Sequence, residues 1–437
     1  MLPGVRKAYR QKKKTDPNDR SSKAGAETMA RDNAARVAPL DGVKVIDISN
    51  FLAGPLCSMF LADFGADVIK VERPGAGDEC RYWGDSKDGV GLYFKVVNRG
   101  KRSVTADLHT PIGVEIVKRL IRTADILVEN YRTGTLESWG LAPDLLQAIN
   151  PRLIVVRVTG FGQTGPHKQR PGFGTLAEAY AGYAHISGAA DGPPLLPGFG
   201  LADSTTGLMA AYLASMALHE QRRSGRGQVI DLAIYETLLT LLGPQVVNYD
   251  QLGLVQNRDG SRLPFTAPRN TYRARDGKYV SIAGSAQSIF VRICAALDRP
   301  ALVHDPRFLD NRLRIQNAAA LDEALQDAIG QFDRGALIER FIAHDAAIAP
   351  VNDIADIFAD AHMQARENIT SMHDDELGGP IRMQNVVGKL SMTPGRIAAA
   401  GPALGAHNEQ VLVHELGFDP AELAAAGLLP PAARAAE

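Results

Sequence analysis

Val43-Lys44-Val45-Ile46-Asp47-Ile48, then Ala53-Gly54-Pro55 leading into Leu56 to Phe64, then Asp67-Val68-Ile69-Lys70-Val71-Glu72, form the stretch from which the fold is read. The first run is short and β-branched, as in a strand buried within a parallel sheet. Leu56 to Phe64 has a helical pattern that Gly65 stops, and Pro74-Gly75 ends the second strand. Upstream, Leu40-Asp41-Gly42 reads as the turn at which order begins.

The alternation recurs downstream. Ser103 to Asp107 reads as a strand, and Pro111 to Thr123 as a helix with proline in its first turn. Asp125 to Glu129 is a strand, Pro143 to Ile149 a helix, and Leu153 to Thr159 a strand rich in Ile and Val. This rhythm predicts an α/β unit with a mostly parallel sheet, right-handed crossovers and sites beyond the carboxyl ends of strands. Helices are expected over Gly174 to about Ala189, Ala202 to Gln221 and Tyr235 to Leu252. The Ser224-Gly225-Arg226-Gly227-Gln228 turn enters a strand at Val229 to Leu232.

Near residue 257 the character changes. A hairpin is expected over Asn270 to Ile282, with helices at Ser288 to Leu297, Ala318 to Gln331 and Arg334 to Ala343. The expected organisation is a disordered extension over residues 1–36, the first part of a large domain over 37–259, and a smaller inserted α+β domain over 260–360. Residues 361–437 then return to complete the large domain, with a helix at Asn408 to Leu416.

The chain carries 48 basic and 49 acidic residues, a net charge of -1, which argues against nucleic acid or an anionic membrane as a general partner. Cys57, Cys80 and Cys294 are the only cysteines and lack metal-ligand spacing, so neither a disulfide scaffold nor a metal site is expected. The richest apolar stretch, Gly200 to Leu218, contains Asp203 and reads as a buried helix rather than a membrane span. The basic amino-terminal segment has no hydrophobic core of a secretory signal, and Asp16, Asp19, Glu27 and Asp32 argue against a mitochondrial presequence; a cytoplasmic protein is expected.

Asp203 follows the Gly- and Pro-rich span Ala190 to Gly200 and opens a helix of small residues. Its carboxylate has two available tasks, helix N-cap or nucleophile, and they need not exclude each other. Gly284, with Ser285, Ala286 and Gln287, offers a loop of backbone N–H groups for a developing oxyanion, or a plain hairpin exit. Arg73 and the basic run Asn98-Arg99-Gly100-Lys101-Arg102 suit either a phosphate or solvated loop charge. Neither a Gly-x-x-x-x-Gly-Lys-Ser/Thr run nor a dinucleotide fingerprint is present. His167, His185, His219 and His407 lack a Gly-x-Ser-x-Gly elbow and receive no catalytic task. Glu178 and Asp231 are likewise left without a role.

Taken together, Leu40 to Asp47, Ala53-Gly54-Pro55, Leu61 to Glu72 with Pro74-Gly75 and Gly77-Asp78, Asn98 to Ser103, Val128-Glu129-Asn130-Tyr131 and Gly225 to Gln228 resemble the class III CoA-transferases. That family includes the carnitine CoA-transferase-like and bile-acid-inducible proteins. The resemblance covers residues 40 to about 415. It implies a Rossmann-like large domain with an inserted small domain and an interlocked homodimer. CoA and acyl-CoA are implied as substrates, with no permanently bound cofactor. Asp203 matches the family nucleophile, which carries CoA in ping-pong fashion as an aspartyl-CoA thioester. Arg73, Lys101, Asn98, Asn130 and Ala53 match positions around CoA, and Gly284 matches the glycine-rich flap. Asn50 and Leu52 replace a His and a Gln found in some relatives, and the flap has fewer glycines, which disfavours a formyl- or oxalate-specific enzyme. The same fold serves α-methylacyl-CoA racemases, whose acid-base aspartate aligns with Gly174 here, so racemisation lacks its proton carrier. A non-catalytic acyl-CoA-binding protein is the other alternative, and a dicarboxylate is the expected acid.

Overall fold

Val45 and Ile46 are adjacent in sequence and point to opposite faces of one strand, and both are buried because helices cover each face. The computed structural model describes residues 38–430; the extension over residues 1–36 and the last seven residues of the return segment lie outside the described residues. The main sheet comprises β1 (Lys44–Asp47), β2 (Asp67–Glu72), β3 (Lys101–Thr105), β4 (Ile126–Glu129), β5 (Ile154–Thr159) and β6 (Val229–Ala233). All are parallel, in the order β3-β2-β1-β4-β5-β6. Val45 stands beside Val68 on one side and Ile126 on the other. The chain therefore winds outward from β1 to β3, then crosses back to lay β4 against β1. That reversal opens a crevice above the carboxyl ends of β1 and β4.

The helices that position the site are α1 (Ala53–Asp63), α2 (Pro111–Ile121), α3 (Pro143–Ile149), α4 (Gly174–Tyr180), α5 (Leu201–Ser224), α6 (Ile234–Leu241) and α7 (Gln245–Leu252). Cys57 and Leu61 of α1 and Ala210, Ala214 and Leu218 of α5 pack over Val45, Val128 and Val156. On the opposite face, Ile116 and Leu120 of α2 and Leu146 of α3 cover Ile46, Leu127 and Val155. Val411, Leu412 and Phe418 from the end of the chain join that second core. No helix among the described residues is long and apolar enough to cross a membrane.

A second, antiparallel sheet runs β9-β8-β7, with β7 (Arg269–Arg273), β8 (Tyr279–Ala283) and β9 (Ile348–Pro350). Helices α8 (Gln287–Ala296), α9 (Ala318–Ile329) and α10 (Arg334–Ala343) pack on it around Phe290, Ile293, Leu321, Leu325 and Phe341. None of these residues belongs to the cores of the large sheet.

Several elements differ from their expected forms. Ala53-Gly54-Pro55 is the first turn of α1 rather than a lead-in to it, and Pro55 suits a position whose N–H has no helical partner. The helix expected from Gly174 to Ala189 ends at Tyr180 and restarts at Tyr183, because Gly182 takes a φ of +95°. The one expected from Tyr235 to Leu252 is likewise two helices, broken where Gly243 takes a positive φ just before Pro244. The segment expected as a helix at Asn408 to Leu416 is a π-helix over Glu409–Glu415.

Candidate active site

The ends of β1 and β4 are locked together before any ligand is considered. Asn130 accepts the Asn50 backbone N–H at 2.8 Å and returns its amide N–H to the Asn50 carbonyl at 2.6 Å. The next residue, Phe51, has a φ of +66°, a left-handed conformation that costs a bulky residue energy. Asp78 holds it by accepting the Phe51 N–H at 2.9 Å, and the Phe51 ring meets Trp83 at a tilt and Phe173 edge to face.

Beneath this corner lies a closed ionic network. Asp47 is wholly buried and meets Lys101 Nζ at 2.9 Å, while Lys70 meets Asp78 at 2.8 Å and Arg81 meets Glu72 at 2.7 Å. Burial opposes the charge on Asp47, but Lys101, Lys70 and the hydroxyls of Ser49 and Ser58 overcome it and hold the carboxyl far below its ordinary value. Three cations and three anions thus balance at the carboxyl ends of the central strands.

Above the network is a cleft of about 1050 Å³. It is lined by Phe51 and Ala53 at the start of α1, by Asn130 and Tyr131 after β4, by Phe173 and Gly174 at the start of α4, and by Asp203. Asp203 sits in the first turn of α5, whose N-cap is Gly200, so the N-cap task considered for it falls to another residue. Instead its carboxylate leaves its own helix and lies against Gly174. A Cβ added to Gly174 would fall 2.2 Å from Asp203 Oδ2. A side chain at residue 174 would push the carboxylate out of this position, and glycine itself carries no group that could move a proton.

Burial first, and then the negative charge of Glu178, raise the Asp203 pKa to about 6, against the lowering effect of the Gly174 backbone N–H. Half-buried, flanked by a like charge and facing a cavity, this carboxylate has the environment of a basic oxygen nucleophile. Glu178 is 2% exposed, and its Oε1 accepts the Ala202 N–H at 3.2 Å.

The other residues singled out in the sequence divide into groups. Ala53 and Asn130 line the cleft with Asp203. Arg73 is exposed in an adjoining groove of about 190 Å³ with His109 and Trp139, and Tyr131 borders both spaces. Lys101 is buried and donates to Asp47, the Pro55 carbonyl and Asn98, whose own side chain is wholly buried. The basic run is therefore not solvated: Arg99 pairs with Asp63, and Arg102 with Asp67 and Glu415. Gly284 does not line the cleft within one chain; a Cβ there would meet Ile293 at 2.5 Å. Its loop is anchored by the buried Arg314, which donates to Ser285 and Gln287. Sequence reasoning assigned no role to Glu178, Phe51 or Arg314. For Phe51 no local signal exists, since a phenylalanine gives no sign of a positive φ.

Residues 40–408 match the family model described as CoA-transferase family III. The chain is 42% identical over 387 residues to the succinyl-CoA--D-citramalate CoA-transferase of Chloroflexus aurantiacus, covering 88% of this chain and 96% of that one. It is 35% identical to the succinate--glutarate CoA-transferase of Agrobacterium fabrum, covering 86% and 96%. A crystal structure of a CAIB/BAIF family protein from Brucella suis superposes with a TM-score of 0.78 at 35% identity, covering 87% of this chain and all of that one.

Proposed function

Because the chain belongs to CoA-transferase family III and is an enzyme of that class, we propose that it moves CoA from an acyl-CoA donor to a free dicarboxylic acid, with Asp203 as the covalent carrier. The observation that carries this reading is the Asp203 carboxylate turned against Gly174 in a large cleft, with its pKa raised.

An Asp203 oxygen attacks the thioester carbonyl; the C–S bond breaks and CoA leaves as thiolate, giving a mixed anhydride on Asp203. The thiolate then attacks Asp203 Cγ, and the donor acid departs as its carboxylate, leaving an aspartyl-CoA thioester. The acceptor carboxylate enters, and the same two steps run in reverse to release the new acyl-CoA. Dividing the exchange in this way replaces one difficult step with acyl transfers between activated carbonyls.

Arg73 holds the phosphorylated end of CoA in its groove, and the thiol end passes Tyr131 into the Asp203 cleft, alongside Ala53 and Asn130. Lys101 and Asn98 act from beneath, by fixing the end of β1 on which the cleft is built. The dicarboxylate is supported by the acids named for the relatives and by Arg132, Lys168 and Arg170, which line the cleft with no ion-pair partner among the described residues. The Gly284 loop reaches the reacting carbonyl only when a second copy brings its small unit over the cleft, in an interlocked dimer. A covering partner is supported by α7, which has no buried residue and exposes Val246, Val247, Tyr249 and Leu252.

The test is intact-protein mass after brief incubation with a panel of acyl-CoAs, followed by trapping with hydroxylamine and localisation of the label. A donor-dependent adduct on Asp203, absent from a folded Asp203→Ala variant, is expected. Full exchange activity in Asp203→Ala would exclude this carrier.

A further inference from the structure

Glu178 is a buried carboxylate that the mechanism above leaves without a task. Its Oε1 accepts the N–H of Ala202, the residue before Asp203, at 3.2 Å, and no cation pairs with it among the described residues. The arrangement is reciprocal: Glu178 on α4 holds the start of α5, while Asp203 on α5 lies against Gly174 at the start of α4. Glu178 is thereby fixed near enough to Asp203 for its charge to act on it. The remaining charged groups near Asp203, namely Arg132, Lys168 and Arg170, lie exposed on the cleft wall, and the neighbouring Tyr93 phenol is itself disfavoured from ionising by burial, by Cys80 and by Asp203.

We propose that Glu178 is a positioning residue that anchors the Asp203 turn and sets against it a fixed negative charge, which is relieved only while Asp203 is acylated. The inference rests on the covalent route through Asp203. In the free enzyme the ionised Asp203 carboxylate lies in a poorly solvated place within the field of Glu178, which makes Asp203 more basic. When Asp203 attacks the thioester, its charge passes to the departing CoA thiolate. When the thiolate returns to Cγ, that charge leaves with the released acid. Asp203 carries no charge in the anhydride or in the thioester, so in both it no longer opposes the Glu178 carboxylate. The repulsion therefore exists in the resting state and vanishes in both intermediates, so Glu178 biases the enzyme toward its loaded forms.

Glu178→Gln tests this directly, because an amide oxygen still accepts the Ala202 N–H but carries no charge. The rate of Asp203 adduct formation is measured against pH, with the loaded fraction at a fixed ratio of donor to released acid. In the wild type the acid limb is expected near pH 6. In Glu178→Gln it moves down by about one pH unit, and the loaded fraction falls by about fivefold or more. Glu178→Asp, which keeps the charge, retains a limb nearer that of the wild type. An unmoved limb and an unchanged loaded fraction in a folded Glu178→Gln protein would overturn the proposal. So would a wild-type limb at the ordinary carboxylate value, which needs no variant. Absence of any adduct in the wild type defeats instead the covalent route on which the inference rests.

Discussion

Gly174 and Asp203 together show what one missing side chain does. Gly174 does not have a positive φ, so it is not a turn device; its missing side chain lets the Asp203 carboxylate occupy the space of a Cβ. Burial and the charge of Glu178 make the ionised Asp203 costly to the folded protein. The folded-state pKa of Asp203 is raised, so the folded protein binds a proton there more tightly than the unfolded chain does. Its contribution to stability is full below the ordinary carboxylate pKa and is lost as pH rises through about 6. Asp203→Asn is therefore expected to be more stable than the wild type by about 1–3 kcal/mol at about pH 8, with the gap closing at about pH 4. Denaturant unfolding at the two pH values checks this; a gap independent of pH would contradict it. Asp203 stood out in sequence as a carboxylate after a Gly- and Pro-rich loop, a local pattern that left helix cap and nucleophile both open; the nucleophile's role came from the family resemblance. Glu178 did not stand out, because its partnership with Asp203 arises only when two helices meet.

Among the elements, α1 and α5 decide how closely the cleft is built on the sheet. Small residues line the face of α5, and at Gly207 the two backbones approach until an added Cβ would fall 2.6 Å from Leu56 Cβ and 2.9 Å from the Ala53 carbonyl. Gly207→Ala is thus expected to cost about 1–2 kcal/mol, despite the better helix propensity of alanine. Gly335→Ala in α10, where a Cβ meets nothing within 4 Å, is expected to gain up to about 1 kcal/mol. Unfolding midpoints of the two variants, moving in opposite directions, check the argument. Most strands and the long helix were readable from β-branched runs and small-residue periodicity. The breaks at Gly182 and Gly243-Pro244 were not foreseen, although those residues are visible in the sequence. Glycine within a helical pattern is tolerated often enough that only the packing decides whether the helix continues.

For the whole molecule, the proposed dimer accounts for the exposed apolar face of α7 and for a Gly284 that lies away from the cleft of its own chain. Sedimentation of the full chain is expected to give twice its mass of 46.9 kDa, and Val246→Asp with Tyr249→Asp is expected to weaken that association. A monomer at micromolar concentration with full exchange activity would contradict the dimer. The amino-acid sequence by itself determined the α/β class, the hairpin of the small unit, the family and the candidate nucleophile, because strand runs, turn residues and motif spacing are local properties of a chain. Tertiary structure alone decided which charges remain available to a ligand. Lys101 and Arg99 read as part of a basic loop, yet each is buried against a carboxylate distant in sequence, whereas Arg73 stays exposed in its groove. The sign of a charge is written in the residue, but its solvation and its partner depend on which strands the sheet order makes neighbours.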